Sequence, residues 1–466
     1  MRYKQLAKEY VQQIESGQLA IHSKMPSLRH FKQLHSVSMT TALNCYQYLE
    51  SLGWLLAKPQ SGYYVAQQSL FIEHLQTPTF VSFQSTTTKP ILPALYNPFI
   101  DPCPLGIARY DPDLIPVDKL QQSFRRAIKR QGNLLSHYPN PQGESILRDN
   151  ISEHFKSVDF HFSAADCVIT HGCLDAIKTA LEITTDVGDA VAISSPCFSG
   201  LLSLLGVMGR RVVEIPSVTE GIDLEQLKKQ MQRGAIKAGL FCTSHMNPQG
   251  ISMSSLQKQK LVELATCYKI PIIEDDVYLE LGNESVIPLP AKHWDQEGYI
   301  LWCGSISKTI AAGYRLGWCL PGRYLQYYLQ QRLFANQGIT SPLQLAIADF
   351  IQRGHYFNHL KKIRLHLQHQ IKQYTTFLQQ NLPAGSKISQ PSGGFVLWIE
   401  VDRLNTAKLK ALAIENELDI RVGESFSTLG LYSHCFRLNI GFSISSPQVE
   451  LQLNHLVTLI KICLKE

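Results

Sequence analysis

Lys308 follows a small, hydroxyl-rich turn, Gly304-Ser305-Ile306-Ser307, and stands between the apolar runs Leu301-Trp302-Cys303 and Leu316-Gly317-Trp318-Cys319-Leu320. An amine held among such residues stays partly desolvated and can condense with an aldehyde cofactor. Ser305, Ser307 and Arg315 offer hydroxyl donors and a planar cationic fork for a phosphate. A lysine snorkelling from an edge, beside an arginine paired with a surface acid, accounts for this stretch equally well. Residues elsewhere in the chain have to decide.

From Cys167 onward, apolar runs that read as strands alternate with runs that read as helices. Such alternation predicts a mainly parallel sheet covered by helices, with ligands at the carboxyl ends of its strands. Asn247, in GLFCTSHMNPQG, and Asp275 and Tyr278, in IPIIEDDVYLEL, fall at such ends. The turn Thr170-His171-Gly172-Cys173-Leu174 opens a helix and presents backbone N–H groups, a natural anion cradle. Each of these residues alone fits ordinary turn or cap duty. Together they meet the needs of a pyridine-aldehyde cofactor. Asp275 is the acid for a ring nitrogen, Asn247 and Tyr278 are donors to a ring oxygen, and Phe198 covers a ring face. Gly172, Cys173, Ser305, Ser307 and Arg315 surround a phosphate, and Lys308 is anchor and then proton carrier. Tyr138, before the Pro/Gly-rich turn of HYPNPQG, fits simple turn packing, and spacing does not bring it to Lys308.

At 466 residues the chain exceeds one ordinary core and predicts two or three domains. No apolar run of 20 residues occurs and the amphipathic N-terminus carries glutamates, which argues against a membrane span or signal peptide and for a cytoplasmic protein. The 11 cysteines are scattered without a C-x-x-C pair, which argues against a structural zinc site or a disulfide framework. The net charge of +6 is uneven: residues 1–68 hold seven Lys or Arg against three acids, compatible with a polyanionic partner.

Within 1–68 the spacing predicts a helix over 2–16, a second capped by Ser27, a tight turn at Ser36-Val37, and a third capped by Ser38. Two short helices across such a turn form a helix-turn-helix, and WLLAKPQSGYYV predicts a hairpin wing. The third helix would then enter a DNA major groove, with Ser38, Thr40, Thr41 and Asn44 near bases or phosphates and Lys24, Arg29 and Lys58 nearer phosphates. A three-helix protein-interaction domain is the alternative. Residues 69–98, with Pro78, Pro90, Pro93 and three consecutive threonines, show no sustained period and predict a linker.

The stretch KMPSLRHFKQLHSVSMTTALNCYQYLESLGWLLAKPQSGYYV resembles the winged helix-turn-helix of the GntR family of bacterial regulators. Many members of that family carry Arg where this chain has Met39, so a groove-facing cation is missing here. Residues 99–466 resemble the fold-type I class I/II aminotransferases through YPNPQG, THGCLDA, SPCFSG, HMNPQG, EDDVY, SISKTIAAGYRLGW and FRLNI. That resemblance implies pyridoxal 5′-phosphate (PLP), with Lys308 as its covalent anchor, Asp275 as the ring-nitrogen acid and Arg437 as a clamp for a substrate carboxylate. It also implies that Tyr138 reaches the neighbouring subunit's phosphate, and that Leu174 replaces a hydroxyl or amide donor.

The order of both motif sets resembles the MocR type of regulator. Its implied architecture is an α/β chain with a DNA-binding head (1–68), a linker (69–98) and a PLP-dependent transferase body of fold type I (99–466). The body would comprise a large α/β/α domain at about 135–345 and a smaller α+β domain from about 99–134 and 346–466. The resemblance further implies head-to-tail homodimers on double-stranded DNA that sense a small amino compound by imine exchange at Lys308. An aminotransferase whose catalytic residues are Lys308, Asp275 and Tyr278 remains the alternative.

Overall fold

A computed structural model describes residues 2–16, 18–20, 23–51, 54–58, 62–65, 75, 77–88, 104–132, 136–282 and 287–465. The chain divides into two compact units, Met1–His74 and Leu75–Glu466. The described part of the expected linker, 75 and 77–88, therefore belongs to the larger unit.

In the smaller unit, α1 (Arg2–Glu15), α2 (Leu28–Leu34) and α3 (Met39–Ser51) precede a hairpin of β1 (Leu55–Lys58) and β2 (Gly62–Val65). The caps are those expected: Ser27 Oγ accepts from His30 N at 3.2 Å, and Ser38 Oγ from Thr41 N at 3.1 Å. Each satisfies an N–H that has no partner inside its helix. The hairpin pairs Leu55 with Val65 and Lys58 with Gly62, while the tip of its turn lies outside the described residues. Leu6 and Tyr10, one helical turn apart, close on Phe31, Cys45, Tyr46 and Leu49 in one core. Phe31 is its centre, with ring contacts to Tyr10, His35 and Tyr46.

The larger unit begins with β3 (Thr86–Thr87), α4 (Val117–Gln131), α5 (Ser145–Lys156), β4 (Val168–Thr170) and α6 (Cys173–Thr184). It continues through β5 (Ala190–Ser195), α7 (Ser199–Val207), β6 (Arg211–Val218), β7 (Gly221–Ile222), α8 (Leu224–Gln232), β8 (Ala238–Cys242) and α9 (Ser255–Tyr268). Then come β9 (Ile272–Asp275), β10 (Ile300–Ser305), β11 (Gly317–Leu320), α10 (Leu325–Asn336), α11 (Ser341–Gln352) and the long α12 (His355–Asn381). The chain ends with β12 (Lys387–Ile388), β13 (Val396–Glu400), α13 (Thr406–Glu415), β14 (Arg421–Val422), β15 (Cys435–Asn439) and α14 (Pro447–Leu464).

The main sheet has the order β3-β6-β5-β8-β9-β10-β11-β4. Strands β6, β5, β8, β9 and β10 run parallel, whereas β11 is reversed between β10 and β4. Its central strands are buried on both faces, as continuous Val/Ile/Leu/Ala runs require. A second, antiparallel sheet, β12-β13-β15-β14, packs Leu397, Ile399, Phe436 and Leu438 against Tyr374, Leu409, Leu453 and Leu456 from α12, α13 and α14. Arg126 on α4 grips Asp349 on α11 with a two-pronged contact, Nε to Oδ1 at 3.1 Å and Nη2 to Oδ2 at 2.6 Å.

Phe31→Ala removes the ring at the centre of the smaller core and is expected to cost about 3–5 kcal/mol of that unit's stability. Amide exchange in α2 and α3 of the full chain should accelerate accordingly, and unchanged exchange would show that other side chains hold this core.

Candidate functional site

The parallel strands deliver the candidate residues to one end of the main sheet. Asp275 ends β9, where it lies in register with Cys242 of β8 and Cys303 of β10. Ser305 ends β10, with Lys308 three residues on, while Thr170 ends β4 just ahead of Gly172 and α6. Asn247 and Tyr278 follow β8 and β9. Arg437 comes from the second sheet, in the middle of β15.

These residues meet around Lys308. The Lys308 amine donates to the Ala108 carbonyl. Arg437, 3% exposed, donates through Nη1 to Asn247 Oδ1 at 3.1 Å and through Nη2 to the Gly106 carbonyl. Asn247 Nδ2 in turn donates to Tyr278 Oη at 3.3 Å. The Arg437 guanidinium stands 5.6 Å from the Phe426 ring centre, a cation–π arrangement. Its Nε has no hydrogen-bond partner among the described residues.

Burial sets the electrostatics. It lowers the Lys308 amine to about 8, helped by the positive charge of Arg437 and opposed by Asp275. It raises the Asp275 carboxyl to about 6, against the Cys173 thiol and the Val277 N–H, which favour the ionised form. Burial likewise lowers Arg437 to about 10 and raises the Tyr278 phenol.

On the α6 side, Arg315 Nη1 donates to Ser307 Oγ at 3.1 Å, and Ser307 N donates to Ser305 Oγ at 3.3 Å. Gly172 has φ +88, and a Cβ there would sit 2.8 Å from Arg315 Nη2. Glycine thus gives both the left-handed backbone and the space for a guanidinium beside the first turn of α6. Arg315 itself is left-handed, with φ +47. The set fits PLP: a half-buried amine, a buried acid, two amide or phenol donors, a cationic cradle at a helix start, and an arginine with an unpartnered N–H.

Cys173 opens α6 beside Gly172, and its thiol donates to Asp275 Oδ1 at the end of β9 at 3.2 Å. Phe198 precedes α7 and is half-buried. Tyr138 is 88% exposed and is not brought to Lys308 of its own chain.

In the smaller unit Arg29, Ser38, Thr40 and Asn44 are exposed on or beside α2 and α3, with Thr41 half-buried. Met39 is the exposed first residue of α3. Lys24 lies over the Tyr64 ring at 5.8 Å, and Lys58 ends β1. The carbonyls of Gly106 and Ala108 had no sequence signal, since any residue carries one. Glu214 does carry a sequence signal, as a lone acid in the apolar run Val212-Val213-Glu214-Ile215.

Comparisons with known proteins agree with this two-part architecture. Residues 2–65 match the family of bacterial regulatory proteins, gntR family, and residues 104–456 match aminotransferase class I and II. The uncharacterized HTH-type transcriptional regulator YdcR of Escherichia coli K12 is 32% identical over 443 residues, 94% of each chain. YjiR, another such regulator from the same organism, is 30% identical over 96% of this chain and 97% of its own length. Among solved structures, Pyrococcus horikoshii kynurenine aminotransferase superposes with a TM-score of 0.73 at 22% identity, over 79% of this chain and 93% of its own. The multiple substrate aminotransferase of Thermococcus profundus gives 0.72 at 21%, over 78% and 92%. No helix among the described residues is long and apolar enough to cross a membrane. The matched order of both halves, over nearly the full length of its relatives, makes this chain a member of the GntR/MocR-type regulators, with a helix-turn-helix head fused to a fold-type I aminotransferase-like domain.

Proposed function

We propose that this chain is a cytoplasmic, DNA-binding transcriptional regulator whose larger unit holds PLP and senses an amino compound by imine exchange at Lys308. One observation carries the reading: a lysine amine lowered to about 8, between Arg437 and Asp275, in a chain that begins with a gntR-family head. PLP supplies an aldehyde able to condense with amines and an electron-accepting ring. Asp275 holds charge opposite the ring nitrogen, Asn247 and Tyr278 donate to the ring oxygen, and Phe198 covers a ring face. Gly172, Ser305, Ser307 and Arg315 receive the phosphate, with the first turn of α6 adding its N–H groups.

Arg437 takes the carboxylate of an amino acid, for which its free Nε and planar fork are suited. The exposure of Tyr138 suits a residue that reaches a second copy's phosphate in a head-to-tail homodimer. In the head, Ser38, Thr40, Thr41 and Asn44 approach bases and phosphates of double-stranded DNA, and Lys24, Arg29 and Lys58 approach phosphates.

Turnover is the second reading, favoured by the same lowered amine, which near neutral pH can both accept and return a proton at a substrate Cα. Stoichiometric spectral change with an amino acid and no oxo-acid product supports sensing; catalytic oxo-acid release supports an aminotransferase.

Deleting residues 1–68 is expected to abolish specific DNA binding in a gel-shift assay against library-selected sites, and retained binding would refute the regulator reading. PLP added to the apo protein should give a visible absorption band that Lys308→Ala lacks; an identical band in the variant would remove Lys308 as the anchor. Because the folded amine titrates below an ordinary lysine, the neutral nucleophile is half-populated near pH 8, and the rate of PLP capture should rise through that pH. Arg437→Met removes a cation that lowers this midpoint and should shift it upward, whereas Asp275→Asn should shift it downward. A stopped-flow pH series reads both.

A further inference from the structure

We propose that Glu214 and Thr428 are positioning residues that couple the Arg437 clamp and the Phe198 ring cover to the chain segment 75–88, which in sequence follows the DNA-binding head. This rests on the preceding reading of Lys308 and Arg437 as a PLP and amino-compound site.

Glu214 projects from β6 and is 3% exposed. Its carboxylate accepts from the Ser195 hydroxyl, from Ser427 Oγ at 2.9 and 3.0 Å, and from the Thr428 N–H and Oγ1, the latter at 2.9 Å. A buried carboxylate needs such donors to offset the loss of water, so the main sheet holds residues 427–428 firmly. Thr428 Oγ1 also lies 2.6 Å from Thr86 Oγ1. A threonine hydroxyl has one proton, and Thr428 spends it on Glu214, so Thr86 must be the donor to Thr428. The three side chains form a one-way chain of hydrogen bonds, each polarising the next.

Both ends of this chain lead somewhere. At one end, Thr86 belongs to β3, the edge strand paired to β6 through Thr86–Val212 and Thr87–Arg211. The same segment is tied again where Thr77 Oγ1 donates to the Ser217 carbonyl at 3.3 Å, and Leu75 packs against the cluster of Trp398, Phe426, Tyr432 and Cys435. At the other end, Phe426 is the ring beside Arg437, and its carbonyl accepts from Cys197 N at 2.8 Å, next to Phe198. Trp398 stands opposite Arg437 in the β13–β15 register. In this coupling, a ligand that seats on Arg437 or beneath Phe198 shifts 426–428 against Glu214. Because Thr428 is shared, that displacement reaches Thr86. Coupling is reciprocal, so loosening Thr86 must also alter binding at the site.

The test compares full-length wild type, Thr86→Val and Thr86→Ser, with Thr428→Val as a second lesion, and uses PLP itself as the probe. Amide exchange across 77–88 reports docking of the segment, and the Lys308-dependent absorption band reports PLP affinity. Thr86→Val and Thr428→Val should speed exchange and weaken PLP binding by about fivefold or more, while Thr86→Ser restores both. Faster exchange with PLP affinity within about twofold of wild type, or neither change, overturns the coupling and leaves the cofactor reading standing. A wild-type protein without the band overturns the cofactor reading and this inference with it.

Discussion

A lysine amine, a carboxylate and a guanidinium withdrawn from water at one end of the main sheet set the terms for the residues around them. Each charge costs free energy in that setting unless neighbours offset it. Burial and the Arg437 charge lower the Lys308 amine, burial and the Arg421 charge lower Arg437, and Asp275 stabilises the amine and is itself raised by burial. With Arg315 nearby, the described site carries more positive than negative charge. Ligands bearing a phosphate or a carboxylate relieve that imbalance, and the Gly106 and Ala108 carbonyls relieve it in part within the chain.

The sheet makes this concentration possible. Parallel strands end on the same side, so turns distant in sequence open side by side, and a helix start such as that of α6 adds oriented N–H groups. The site still needs the second sheet, which supplies Arg437 on β15 with Phe426 beside it. The groups around Lys308 are therefore divided between two sheets, and the spacing of those sheets decides whether they meet.

Glu214 is one device that keeps this spacing. It is a carboxylate on a strand otherwise made of apolar residues, and its donors come from the main sheet and from the loop before β15. A buried acid with directional partners fixes the positions of its donors more narrowly than apolar contacts among Val and Ile do. The segment 75–88 shares that arrangement through Thr86, which gives a threonine-rich stretch a defined place on the sheet edge.

Local chemistry in the sequence was enough to define the helix-turn-helix, because caps at Ser27 and Ser38 and the apolar spacing of α1 to α3 act over a few residues. It was also enough to single out Lys308, Asp275, Asn247 and Tyr278 and to place the last three at strand ends, since alternating strands and helices dictate where such ends lie, whereas Arg437 entered only through the resemblance to aminotransferases. Tertiary structure alone decided that the Cys173 thiol turns to Asp275, that backbone carbonyls at Gly106 and Ala108 meet Arg437 and Lys308, and that Thr86 joins Thr428 across 342 residues. Periodicity and turn propensity carry information over one or two turns of chain. Which donor meets which acceptor across hundreds of residues is settled only when the sheets pack and each buried polar group must find a partner.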